Sequence, residues 1–98
     1  MYRHGDLLIS TIPSIPKGTK STQNSILARG EITGHAHRIE PKESAILFED
    51  GENMYLHVIA QSACVVHEEH APISLPQGFY RVWRQREYVP GAIRRVVD

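Results

Sequence analysis

Proline and glycine interrupt this chain so regularly that its apolar runs stay about five or six residues long, too short for an amphipathic helix. The runs are rich in β-branched and aromatic residues, and no 3.6-residue period links them. Leu7-Leu8-Ile9-Ser10-Thr11-Ile12 is closed by Pro13, after which the polar stretch to Ser25 reads as a long surface loop. Ile26 to Ile39 forms a second run that alternates well from Gly30 onward, and Lys42 to Ser44 reads as a turn. Ala45 to Phe48 and Met54 to Ile59 flank Asp50-Gly51, where glycine supplies the positive φ of a hairpin. Ala63 to His67 is a further strand. Leu75-Pro76-Gln77-Gly78 fits a type I turn, and the long aromatic run Phe79 to Tyr88 follows it. Ile93 to Val97 gives a last strand. The pattern predicts an all-β fold, a small barrel or sandwich of about six or seven short strands.

With 98 residues, 41% of them apolar, one modest core is the limit, so the expectation is a single β-barrel-like domain over residues 1–98. No apolar run approaches the roughly 18 residues of a membrane span, and the first residues lack a basic-then-apolar secretory pattern. The single cysteine, Cys64, cannot form an internal disulfide, which points to a reducing cytoplasm. Formal net charge is zero but unevenly placed: residues 1–78 carry −3 and residues 79–98 carry +3, all of the latter's cations being arginine. Arg84 and Arg86 beside Tyr88 form a landing point for nucleic-acid phosphate, for a protein partner's carboxylates or for another copy of the chain. The internal alternative, slightly favoured, pairs them with Glu68 and Glu69.

The histidines carry the chemical signal. Four of the six fall into two tight pairs, His35-Ala36-His37 and His67-Glu68-Glu69-His70. If residues 30–39 are one strand, Glu31, Thr33, His35 and His37 share a polar face. Two imidazoles in H-x-H spacing then project in parallel, close enough to hold one cation. His67 and His70 add further nitrogens, with a carboxylate if Glu68 or Glu69 points inward. Such a set suits Zn²⁺, Fe²⁺, Mn²⁺ or Ni²⁺ with one position open to water. It is not the H-E-x-x-H of zinc proteases, and one cysteine cannot build a structural thiolate cage. His4 and His57 stand outside the two pairs and are not counted as ligands. Phosphate-cradling glycine motifs and the G-x-S-x-G elbow are missing.

The segments Tyr2-Arg3-His4-Gly5-Asp6, Gly30-Glu31-Ile32-Thr33-Gly34-His35-Ala36-His37, His67-Glu68-Glu69-His70-Ala71-Pro72-Ile73 and Arg84-Gln85-Arg86-Glu87-Tyr88 resemble a family of small uncharacterised bacterial and phage proteins. That resemblance spans nearly the whole chain and implies no established activity. The order Gly30, His35-x-His37, Glu40 or Glu43, then Pro76-x-Gly78 is similar in layout to the cupins, which implies a small metal-holding barrel. The expected function is a metal-binding β-barrel protein in which His35, His37, His67 and His70 hold a divalent ion. Glu69 or Glu31 would orient or deprotonate its water, a hydrolase-like arrangement. The competing expectation is a non-enzymatic accessory protein that binds RNA or a protein partner through the arginine-rich face.

Overall fold

The computed structural model describes residues 1–29, 34–89 and 92–95. Strands β1 (Tyr2–His4) and β2 (Leu7–Ile12) form a hairpin with His4 opposite Leu7. Gly5 and Asp6 alone connect them, and Gly5 at φ 64° supplies the left-handed residue that a two-residue turn requires. The chain continues through β3 (Lys20–Thr22), β4 (Ile26–Arg29), β5 (Ala36–Glu40), a 3-10 turn at Lys42–Ser44, β6 (Ala45–Asp50), β7 (Asn53–Val66) and β8 (Ile73–Arg84). These eight strands make one antiparallel sheet, and β9 (Arg86–Val89) pairs with β10 (Ala92–Arg95) in a second, two-stranded one.

Strand β7 is the axis. It pairs with β8 along one side, and along the other with β6 from Asp50 to Ala45 and then with β5 from Glu40 to Arg38. Outside these, β3 lies against β6 and β4 against β5. The β7–β8 register shifts between Val58 and Ser62, and such a slip bends both strands. Both halves of the bent sheet feed one core: Leu7, Ile9, Leu47, Leu56, Val58 and Val82 from one, Leu27, Ile39, Ala63, Val65 and Leu75 from the other. Alternation decides which side chains enter, so Leu56 and Val58 are buried while Tyr55 and His57 between and beside them are only half-buried.

The all-β class and the Asp50–Asn53 hairpin match expectation, whereas the closed barrel does not: the sheet is an open, strongly bent one. The two strands expected at 54–59 and 63–67 are one, β7, which runs on through the bend to Val66 and leaves His67 just beyond it. Pro76 and Gly78 form no turn and lie inside β8. Pro76 pairs with Ser62 at the register shift, where a missing ladder hydrogen bond costs least. Tyr80 hydroxyl donates to the Pro76 carbonyl at 2.5 Å. The loop expected up to Ser25 contains β3. Gly34, at φ 87°, sits in a turn and β5 begins only at Ala36, so His35 and His37 do not lie on one alternating strand. The expected positions Glu31 and Thr33 lie outside the described residues.

A buried histidine–aspartate cluster at the lip of the sheet

In the order β1-β2-β8-β7-β5, the first and last strands are four steps apart, yet the curl of the sheet brings their side chains into contact. The β1–β2 turn presents His4 and Asp6 inward, and both are buried, Asp6 completely. Facing them is His37 of β5, also at 0% exposure. His4 Nδ1 and His37 Nδ1 lie 2.8 Å apart. Polar side chains thus meet where backbone pairing would otherwise close the sheet.

The partner on the far side of the His4 ring fixes its proton. His4 Nε2 is 2.9 Å from the Ala71 carbonyl oxygen, which only accepts, so Nε2 carries a hydrogen. His37 Nε2 lies 3.3 Å from Asp6 Oδ1, an ion-pair contact rather than a hydrogen bond, and Arg84 Nε donates to Asp6 Oδ2 at 2.5 Å. With its hydrogen on Nδ1, His37 donates to His4 Nδ1; with its hydrogen on Nε2, it faces the Asp6 carboxylate. His4 Nδ1 thus turns a bare lone pair toward His37, and that lone pair accepts either the His37 Nδ1–H or a cation. A shared proton fits 2.8 Å as a hydrogen bond. Burial, and then the charge of His37, hold the His4 pKa below its usual 6.5.

Further imidazoles surround this pair. The His67 ring centroid is 4.5 Å from His37 and 4.7 Å from His70, and His70 lies 5.6 Å from His4. His67 Nδ1 accepts the Glu69 backbone N–H at 3.0 Å. His35 reaches the cluster through His67, at 5.7 Å between centroids, and its Nδ1 is 3.9 Å from Glu69 Oε1. Glu68 ties the 67–70 segment to β5: its Oε1 accepts the Ala36 N–H at 2.8 Å and its Oε2 accepts from Arg38 at 2.6 Å. The Ala36 N–H, chiefly, together with Arg38 brings the Glu68 pKa down to about 2.

The structure thus gathers His35, His37, His67 and His70, as their pairing suggested, and places Glu69 beside His35. Reasoning from sequence missed His4 and Asp6. The signal was the spacing of two polar side chains around Gly5, which a tight turn sends the same way. The expected partners of Arg84 were Glu68 and Glu69; instead Arg84 faces inward with Tyr80 and Val82 and meets Asp6, while Arg38 takes Glu68. Arg86 and Tyr88 belong to β9, and their side chains lie outside the described residues, as does Glu31. Among the described residues no group of three or more His, Cys, Asp or Glu has its donors converged on one point as a metal ion requires. No helix among them is long and apolar enough to cross a membrane.

An open antiparallel sheet with an imidazole-rich polar lip defines the class of this protein. Over residues 3–85 the chain belongs to the family described as a domain of unknown function, DUF8820. No curated protein and no solved structure matches it.

Proposed function

We propose that this protein binds a divalent transition metal at the lip of its sheet, with His4 and His37 as the inner ligand pair and His67 or His70 completing the set. One observation supports the reading: two buried Nδ1 atoms face each other at 2.8 Å, with the Ala71 carbonyl behind His4 Nε2 and the Asp6 carboxylate 3.3 Å behind His37 Nε2. Outer acceptors of this kind are the partners that metal-ligating histidines use to set tautomer and ring orientation. Two nitrogens on a tetrahedral zinc stand about 3.3 Å apart, so the pair opens by about half an ångström to exchange proton for metal. A third ligand requires rotation of the His67 or His70 ring. Neutral nitrogen donors favour zinc, nickel or ferrous iron over harder cations. Glu69, beside His35 on the more exposed side, is the group to orient or deprotonate a bound water in a hydrolase-like reaction. The similarity in layout to the cupins enters only through His37 of the H-x-H pair. We also assign the protein to the cytoplasm, on its single thiol.

Metal content of tag-free protein, measured by elemental analysis, tests this reading. About one equivalent in the native chain and a large loss in His4→Ala are expected. Full occupancy in His4→Ala, or no metal in the native chain after incubation with zinc or nickel, sinks it. The rival reading, an accessory protein docking through Arg84, Arg86 and Tyr88, is weakened because Arg84 is committed to Asp6.

A further inference from the structure

The face of the sheet turned away from the core carries an aromatic ladder that the metal reading does not use. The β2–β8–β7–β6 register sets its rows. Ser10, Arg81, Tyr55 and Phe48 lie opposite one another in one row, and Ile12, Phe79, His57 and Ile46 in the next. All have outward parity, since their neighbours Ile9, Val82, Leu56 and Leu47 are buried. Leu8 opposite Trp83 opens a third row, which Arg3 extends from β1. No acidic residue stands in the first two rows; Asp50, opposite Asn53 in the row beyond Phe48 and Tyr55, shares their outward parity.

The aromatic side chains of this face are half-buried, and two of the rings touch. His57 stacks on Phe79 with centroids 4.5 Å apart and planes 27° apart. The Arg81 guanidinium lies 4.9 Å from the Trp83 ring centroid, and Arg81 itself is exposed. Ile46, in the second row, is exposed at 36%. Flat π-surfaces with cations among them suit an extended strand of nucleotides: bases stack on rings, and phosphates meet arginine. A duplex hides its base faces and cannot use such a platform.

We infer that the outer face of this sheet binds single-stranded nucleic acid, with Trp83, Tyr55, Phe48 and Phe79 as stacking surfaces and Arg81 and Arg3 as phosphate contacts. The surface is separate from the histidine cluster, so the two readings stand or fall independently. It also differs from the Arg84–Arg86–Tyr88 patch read from sequence.

Trp83 is the only tryptophan in the chain, so its emission reports directly on the platform. Mixed-sequence 12-nucleotide RNA and DNA single strands, and the matching duplexes, would be titrated into the full chain while emission and the anisotropy of labelled strands are followed. Single strands should quench Trp83 and duplexes should not. Tyr55→Ala should weaken binding about tenfold, in line with the loss of one stacked base. Arg81→Gln, at an exposed position, should reduce the slope of log affinity against log salt by about one. Ser10→Glu puts a carboxylate in the middle row and should abolish binding while circular dichroism stays native. Unchanged emission and anisotropy at low salt overturn the inference. So do equal affinities in Ser10→Glu and native protein, or a concentration-dependent dimer that Ser10→Glu disrupts without any strand binding.

Discussion

His37 is where the residue scale departs most from what periodicity suggests. It is fully buried, between Asp6, His4 and His67, so His37→Ala leaves a cavity and strands the Asp6 carboxylate. A loss of about 3 kcal/mol in urea denaturation is expected, rather than the silent change that an outward-facing strand position would give. The difference arises at Gly34, whose φ of 87° breaks the alternation that would have carried His35 and His37 along one face. Asp6→Asn is subtler. The amide keeps the shape but loses the charge that backs His37, and metal affinity should fall 10–100-fold in a titration while the fold persists. His4 adds a pH term. Its folded pKa lies below 6.5, so on acidification the unfolded chain takes up a proton first. Stability should therefore fall as pH drops below about 6.5, seen as a lower urea midpoint at mildly acid pH, and His4→Gln should flatten that dependence. That four histidines come together was legible from their pairing. That His4 and Asp6 join them was not, because their partners lie more than thirty positions away on other strands.

Among elements, the 67–70 segment depends on Glu68 for its place. Its carboxylate is held near pKa 2, first by the Ala36 N–H and with help from Arg38. A depressed carboxylate pKa means the tether is complete above the ordinary value of 4.5 and is lost as pH falls toward about 2. Glu68→Ala should loosen His67 and His70 relative to β5, weakening metal binding severalfold with little change in melting temperature. Native metal affinity in this variant would show that the segment is positioned by something else. The β1–β2 turn is the second device. Gly5→Ala forces a β-carbon into left-handed backbone at φ 64° and should cost roughly 1 kcal/mol, read from denaturation. The β6–β7 hairpin was readable because Asp50-Gly51 and the flanking alternation agree. Pro76 and Gly78 misled because the same residue types that make turns also serve a register shift inside β8.

At the scale of the whole molecule, the cluster replaces closure. A sheet that bends this far leaves β1 and β5 close but unpaired along their backbones, and His4 with His37 and Ala71 bridge the gap. No property of any one segment encodes that meeting, which follows from the accumulated bend of four intervening pairings; the sequence therefore suggested a barrel where the sheet stays open. An ion held across this seam binds the folded chain and not the unfolded one, so it must stabilise the fold by mass action. At a free metal concentration 100 times Kd the gain is about 2.7 kcal/mol, which for a domain of this size raises Tm by roughly 10 °C or more. The gain should also be local: amide exchange should slow most at β1, β5 and residues 67–71, and least in the centre of β7 and β8, which their own ladders already protect. A thermal scan with and without zinc or nickel, paired with hydrogen-exchange mass spectrometry, reads both effects. If the metal raises Tm in His4→Ala as much as in the native chain, the ion does not bridge the seam. If protection spreads evenly over all strands, the lip is not the element that the ion orders.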